Sequence, residues 1–212
     1  PLYMGNFEFL KDFVDPIDKI KIAENELFTP HQIGYSIRAY EKKVPVLEDM
    51  DVIVIGCAEH RGANPTITYD NAPDIIRRYF YALYHWHKDV AIADVGNVKQ
   101  GHTLEDSYAA LTVVVKELLP LNKKIIILGG SHDLTLPQYQ AYAALQQVIE
   151  VVCVDACIDM EQDVVAKHRS FLLDMLTVEP NYIKHYNHLA FQSYLVHPYL
   201  LETIDKLRLD CY

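Results

Sequence analysis

Two segments of this chain place residue types that bind metals directly after short apolar runs. His132 closely follows the first run, and Asp155, Cys157 and Asp159 follow the second. A continuous apolar run of this kind is typical of a strand that is buried in a parallel sheet. Because ligands bind at the carboxyl ends of such strands, we predict that these four residues belong to a metal site.

The spacing of the second group supports this prediction. In extended backbone alternate residues point to the same side, so Asp155, Cys157 and Asp159 are predicted to share one face. Two neighbouring carboxylates repel each other unless a cation or protons lie between them. An interpretation without a metal stays open. In it Asp159 caps the next helix, Asp155 accepts hydrogen bonds from backbone amides in a turn, and Cys157 is a small buried residue.

His132 follows two glycines, which permit a sharp turn after the strand. A tight turn with Ser131 or Asp133 as the N-cap of the next helix explains the glycines, but it gives no reason for the histidine. A phosphate-binding loop is a further interpretation of the glycines. The sequence contains neither GxGxxG nor GK[ST], which disfavours such a loop and, with it, an unrelated nucleotide-binding domain.

The elements that must position these residues follow from the alternation of apolar runs with helical patterns. Strands are predicted near residues 51–56, 90–94, 124–128, 151–154 and 188–194, and helices near residues 73–86, 103–119, 134–147, 169–177 and 198–206. This alternation indicates right-handed crossovers and a parallel sheet with helices on both faces. The predicted fold class is therefore α/β, with three α/β/α layers, a mostly parallel sheet and one domain over residues 1–212. Residues 1–45 are predicted to be peripheral.

Composition excludes several classes of protein. A chain of 212 residues is long enough to bury a substantial core, and its net charge of −10 argues against nucleic acid as a partner. No apolar run reaches membrane-spanning length, and the N-terminus lacks the pattern of a signal peptide. The four cysteines contain no CxxC pair, which favours a cytoplasmic location.

The two ends of the sequence predict a fragment. The chain begins at Pro1 without an initiator methionine and ends at Tyr212 within a strand-like pattern. We therefore expect a fold that is truncated at its C-terminus. Such a fold exposes an internal strand edge, which predicts a homo-oligomer.

The order of the motifs resembles that of the ureohydrolase superfamily, which comprises arginase, agmatinase and formimidoylglutamase. GGSHDLT (129–135) and VDACID (154–159) resemble the family's GG-x-H and D-A-H-x-D strand ends. Residues 56–63, 71–77 and 94–97 resemble its first loop, its G-P-x-x-I-R helix start and its D-x-G-D turn. The resemblance extends from about residue 51 to the end of the sequence. The FLLDML segment, from 171 to 176, is closer to formimidoylglutamases.

This resemblance implies an arginase-like fold and a dinuclear Mn²⁺ centre. In the family a metal-bridging hydroxide hydrolyses the C–N bond of a guanidinium or formimino group. His132, Asp155 and Asp159 match ligand positions, and their nitrogen and oxygen donors suit Mn²⁺. Cys157 stands where the family has histidine, and a thiolate favours Zn²⁺ or iron. His168 is the candidate catalytic acid or base, unless it is simply an exposed loop histidine.

The family's S-x-D-x-D motif, which supplies two further carboxylate ligands, is absent from this sequence. We therefore expect the chain alone to hold little or no tightly bound Mn²⁺ and to be inactive by itself. Two hypotheses follow. One is a metal-dependent hydrolase of small amidine or guanidine substrates (formiminoglutamate, arginine or agmatine), incomplete in this chain. The other is an inactive homologue that acts in binding or assembly.

Overall fold

The computed structural model describes residues 7–66, 71–162 and 164–212. These residues form two compact units. The first unit contains the described residues up to His60 and those from 71 to 130, and the second contains Arg61–Thr66 and the described part of Ser131–Tyr212. Residues 1–6 of the segment predicted to be peripheral lie outside the described residues, as do residues 67–70 of the loop after the first predicted strand.

Strands and helices alternate along most of the described chain. The strands are β1 (Val14–Asp15), β2 (Arg38–Ala39), β3 (Val52–Cys57), β4 (Ile92–Val98), β5 (Lys124–Gly129), β6 (Ile149–Val154), β7 (Ile183–Leu189) and β8 (Asp210–Cys211). The α-helices are α1 (Leu10–Phe13), α2 (Lys19–Ile22), α3 (Ile33–Ser36), α4 (Ala72–Ala82), α5 (Leu104–Leu118), α6 (Thr135–Ala144), α7 (Phe171–Thr177) and α8 (Pro198–Leu207). None of the described helices is both long and apolar enough to cross a lipid bilayer.

The first unit is built around a five-stranded sheet. Its main path has the order β1-β4-β3-β5, and β2 also pairs with β4. β3 runs parallel to both β4 and β5, whereas β1 is antiparallel to β4. Ile53, Val54 and Ile55 at the centre of β3 are 0% exposed. This confirms the first predicted strand, because burial at successive positions is expected of a strand that is covered on both faces.

The described part of the N-terminal segment adds to this sheet and to its core. β1 and β2 both pair with β4, and Leu10 and Val14 are almost completely buried. Neither strand has an apolar run long enough to be recognised in the sequence. Their formation depends on β4, which offers them a partner.

Two helix ends in the first unit have different causes. The beginning of α5 depends on neighbouring side chains, and the end of α4 coincides with a contact to a distant residue. α5 begins where predicted, because Thr103 and Asp106 form a reciprocal capping box. α4 ends at Ala82, four residues before the predicted end. The chain becomes extended at Leu83, whose carbonyl oxygen accepts a hydrogen bond from the backbone of Ile33.

The second unit contains a parallel three-stranded sheet with the order β6-β7-β8. Ile149, Val151 and Cys153 of β6 pack against a core that includes Met160 and Met175. The opposite face of β6 is open, with Val152 61% and Val154 72% exposed. β6 was predicted to be a buried strand, and within the described second unit this is wrong for one of its faces, because Val152 and Val154 stay exposed there.

The fifth predicted strand, residues 188–194, is misplaced. β7 covers Ile183–Leu189, and Ala190 ends it with a positive φ of 67°. Phe191, which was counted as a strand residue, packs from the following loop against the core of the second unit. The mixture of polar and apolar residues in β7 hid its true beginning, because its histidines occupy both buried and exposed positions.

Candidate metal centre

His132, Asp155 and Asp159 all belong to the second unit. His132 begins a 3₁₀ turn that leads into α6. Asp155 is the first residue after β6, and Asp159 lies in the irregular segment that follows. The end of a strand and the beginning of a helix thus supply the three side chains, as expected for the ligand-binding edge of an α/β protein.

Two carboxylates approach the same imidazole nitrogen. His132 Nδ1 lies 3.0 Å from Asp159 Oδ2 and 3.2 Å from Asp155 Oδ2. One potential ligand atom from each of the three residues lies within 4.8 Å of the other two. Over residues 7–66, 71–162 and 164–212, no other His, Cys, Asp or Glu cluster of three or more has this spacing.

The three side chains differ in their access to solvent. The side chain of His132 is 56% exposed, that of Asp155 is 23% exposed and that of Asp159 is 10% exposed. A small molecule therefore approaches the group from the side of His132, while Asp159 forms its buried base.

Asp155 is held by a turn. Its Oδ1 accepts a hydrogen bond from the backbone N–H of Cys157 at 3.0 Å, which leaves Oδ2 to face His132. The extended backbone predicted for residues 155–159 is wrong, because the strand ends at Val154 and the chain bends at once. The interpretation of Asp155 as an acceptor for a backbone amide is therefore correct, and it is compatible with a role as ligand.

The helix-capping roles considered for Asp159, Ser131 and Asp133 are not borne out. The N-cap of α7 is Ser170, so Asp159 does not cap the next α-helix. Ser131 occupies the N-cap position of the turn at His132, but its side chain makes no capping hydrogen bond. Asp133 lies inside that turn and is 0% exposed.

The electrostatics of the group favour a cation. Burial raises the pKa of Asp159; the hydrogen bond and charge of His132 lower it, and the charge of Asp155 raises it. Keeping both carboxylates ionised therefore costs free energy, and a divalent cation between them removes that cost. One imidazole nitrogen and two carboxylate oxygens fit a cation such as Mn²⁺ or Zn²⁺ by donor type.

The thiol of Cys157 lies outside this group of ligand atoms. Its thiol is partly buried, and it is not among the ligand atoms that lie together. Burial raises the pKa of this thiol, and the charges of Asp155 and Asp159 raise it further. The thiolate, which is the form that binds metals, is therefore disfavoured in the absence of a cation. A ligand role for Cys157 stays a prediction.

His168 lies in a 3₁₀ turn of the second unit and is bound to one carbonyl oxygen. Its backbone N–H donates to Gly62 O at 3.2 Å, and its ring Nδ1 lies 3.3 Å from the same atom. Its charge also lowers the pKa of Asp159. His168 is thus within electrostatic reach of the group, and its catalytic role stays a prediction.

Two residues of this region escaped the sequence analysis. A Cβ atom at Gly62 would lie 2.1 Å from Asp133 Oδ2, so only glycine allows the loop to lie against that buried carboxylate. His188 is 1% exposed and contacts the backbone oxygen of Asp155. The only sequence signal for His188 was a histidine beside the predicted fifth strand, which does not reveal a partner 33 residues away.

Comparison with known proteins identifies the family. A model of the arginase family matches residues 50–190. The chain belongs to the arginase family. Among curated relatives, this arginase-family chain is 31% identical to the formimidoylglutamase of Hahella chejuensis over 99 residues, which cover 44% of the chain and 30% of that protein. It is 34% identical to the formimidoylglutamase of Vibrio parahaemolyticus over 89 residues, which cover 42% of the chain and 25% of that protein.

Solved structures show the same fold. Formimidoylglutamase from Bacillus subtilis superposes with a TM-score of 0.72 at 15% identity, over 88% of this arginase-family chain and 62% of that one. Formiminoglutamase from Trypanosoma cruzi with Mn²⁺ gives 0.66 at 18% identity, over 77% and 60%. The predicted arginase-like α/β fold with a mostly parallel sheet is thus confirmed. The chain spans 25% to 30% of those two curated relatives and 60% to 62% of those two solved proteins.

Proposed function

We propose that this arginase-family chain forms part of a metal-dependent hydrolase of linear amidine C–N bonds, with formiminoglutamate as the first candidate substrate. The observation that carries the proposal is the convergence of His132, Asp155 and Asp159 in the second unit. The formimidoylglutamases among its relatives support the choice of substrate. Arginine and agmatine are the other candidates.

The three residues would hold a metal through nitrogen and carboxylate oxygen. His132 would bind through Nδ1, and Asp155 and Asp159 would each bind through Oδ2, the atoms that already face one another. A bound pair of Mn²⁺ ions supplies a water molecule that is deprotonated near neutral pH. Three ligands are too few for two ions, so the described group accounts for one side of such a centre.

His168 is the candidate residue for exchanging a proton with a substrate. When its Nδ1–H donates to the Gly62 carbonyl, the neutral ring carries its lone pair on Nε2. A histidine fixed in one tautomer is suited to act as a general base and then as a general acid. The exposure of His132 leaves the approach to the group open for a small amidine or guanidine substrate.

The test uses the full gene product that contains this sequence, together with the chain alone. Each is incubated with Mn²⁺, Zn²⁺ or Fe²⁺, and release of formamide from formiminoglutamate or of urea from arginine and agmatine is measured. We expect formamide release by the full product, lost in Asp159→Asn and retained in Asp174→Asn, a change in an exposed ion pair with Lys167. No product from any substrate with any of the metals overturns the proposal.

A second candidate function is an inactive homologue that acts in binding or assembly. Cys157 favours it, because the thiol replaces the family's histidine and stays outside the ligand group. The Cys157→His variant separates the two candidates. Activity or Mn²⁺ binding that arises only in this variant supports the inactive homologue, whereas activity in the unchanged full product supports the hydrolase.

A further inference from the structure

His188 fixes the backbone of a candidate metal ligand. It lies on β7, beside Cys153 of β6, and its Nε2 is 3.0 Å from the backbone oxygen of Asp155. The backbone N–H of Asp155 donates to the carbonyl oxygen of Leu189 at 3.1 Å. Both polar backbone atoms of Asp155 are therefore held by β7, although Asp155 lies beyond the end of β6.

The partners of His188 define its tautomer. A carbonyl oxygen can only accept a hydrogen bond, so Nε2 must carry the proton. In the neutral ring Nδ1 then carries the lone pair, and the hydroxyl of Tyr186 lies 2.8 Å from it. Tyr186 therefore donates to Nδ1 and holds the ring in the tautomer that binds Asp155.

Two hydrogen bonds therefore run in one direction, from Tyr186 to Asp155. The phenol of Tyr186 donates to His188 Nδ1, and His188 Nε2 donates to the backbone oxygen of Asp155. Each of these two donors has a single proton to give.

We propose that His188 is a positioning residue for the metal group, which it orients through the backbone of Asp155 while Tyr186 holds its tautomer. This inference rests on the proposed metal-dependent function, because a positioned ligand is useful only if a metal binds. The hydrogen bonds of His188 form without a metal. His188 touches neither substrate nor ligand side chains in this role. Loss of a residue that orients a metal ligand weakens metal binding by about tenfold or more.

Two substitutions at position 188 provide a matched pair. In His188→Gln a side-chain amide reaches the place of Nε2 and can still donate to Asp155. In His188→Asn the amide stays near the place of Nδ1, where it can bond Tyr186 but cannot reach Asp155. Tyr186→Phe removes only the oxygen that sets the tautomer and keeps the ring in the core.

The first measurement is the dissociation constant of the whole chain for Mn²⁺ and for Zn²⁺, by calorimetry. We expect His188→Asn to weaken binding by about tenfold and Tyr186→Phe by less, with His188→Gln within about twofold of the unchanged chain. Thermal unfolding without metal is the control. Equal losses of metal affinity in His188→Gln and His188→Asn overturn the proposal, whether or not their melting temperatures also fall.

The second measurement needs no metal. Nitrogen NMR of the histidine rings is expected to show a proton on Nε2 of His188 and none on Nδ1. The amide of Cys157, which donates to Asp155 Oδ1, is expected to exchange faster in His188→Asn than in His188→Gln. If the proton is found on Nε2 and the Cys157 amide exchanges faster in His188→Asn, while no variant binds metal, the positioning role stands and the proposed function fails. A proton on Nδ1 alone, or equal exchange in both variants, overturns the positioning role.

Discussion

Arg77 donates two hydrogen bonds to the carboxylate of Asp94, from Nε at 2.8 Å and from Nη2 at 2.9 Å, and both side chains are fully buried. Tyr81 donates a third hydrogen bond to Asp94 at 2.7 Å. The pair joins α4 to β4 within the first unit. It also connects residues 71–77 with residues 94–97, two segments whose patterns had been matched to the family separately.

We expect Asp94→Asn to lower the free energy of unfolding by about 3 kcal/mol, because it leaves the buried guanidinium of Arg77 with the partly exposed carboxylate of Asp74 as its remaining counter-charge. Arg78→Ala is the matched control on the same helix, since Arg78 forms an exposed ion pair with Glu24 that contributes about 0–1 kcal/mol. Urea denaturation measures both. Similar losses of unfolding free energy in the two variants would show that the buried Arg77–Asp94 pair contributes no more to stability than an exposed ion pair.

Divalent metal is expected to raise the melting temperature of the chain, because a ligand that binds only the folded state stabilises it by about 2.7 kcal/mol at a hundred times its dissociation constant. Asp159→Asn is expected to abolish this shift, since Asp159 supplies the buried oxygen of the ligand group. Asp174→Asn is expected to keep it. Melting curves with and without Mn²⁺ or Zn²⁺ test the prediction, which fails if Asp159→Asn responds to metal like the unchanged chain.

The metal-free protein is expected to show the pKa shift of Asp159 in its stability. Because burial raises the pKa of this carboxyl above 3.8, the folded state binds its proton more tightly than the unfolded chain does. The resulting stabilisation is complete below the unfolded pKa and is lost as pH rises through the folded value. Asp159→Asn cannot ionise, so it should gain stability relative to the unchanged chain as pH rises above the unfolded pKa of 3.8. Urea denaturation with a chelator present measures the difference, and a difference independent of pH contradicts the shift.

Cys157→Ser is expected to leave the affinity for Zn²⁺ and Mn²⁺ within about twofold, because the thiol lies outside the ligand group and its thiolate is disfavoured. His132→Ala is the comparison, and it is expected to lose most of the binding. Calorimetry measures the dissociation constant of each variant for the two metals. A loss in Cys157→Ser as large as that in His132→Ala would make Cys157 a ligand, as the sequence first suggested.

Self-association is expected through β6, which is an edge strand of its sheet and exposes the side chains of Val152 and Val154. An edge strand with exposed apolar side chains readily pairs with another chain. Val152→Lys should therefore lower the mean mass in light scattering. Val165→Lys, at a 96% exposed position outside the strands, should leave the mass unchanged. A monodisperse monomer before any substitution rules out this form of assembly.

Features that depend on neighbours in sequence were predictable from the sequence. The capping box of Thr103 and Asp106 spans three residues, and β3 is recognisable because burial on both faces requires an unbroken apolar run. The motifs also singled out His132, Asp155 and Asp159, whose potential ligand atoms lie together in the structure. The bonds of His188 to Asp155 and of Arg77 to Asp94 were not predictable, because a buried polar residue gives no local sign of its partner. The turn at Asp155 depends on a local hydrogen bond, and the interpretation of Asp155 as an acceptor for backbone amides predicted it, whereas the extended conformation of residues 155–159 did not.

The contact between His168 and Gly62 closes a loop of 106 residues, whereas that between His132 and Asp159 closes one of 27. Each doubling of loop length adds about 0.6 kcal/mol of closure entropy, so the longer contact is less favourable by about 1.2 kcal/mol. The ligand group can therefore form early in folding from a nearly continuous stretch of chain. Under the proposed function, the candidate acid–base residue would acquire its fixed tautomer only after a distant loop has packed against it, so the capacity to bind metal would precede the capacity to transfer a proton.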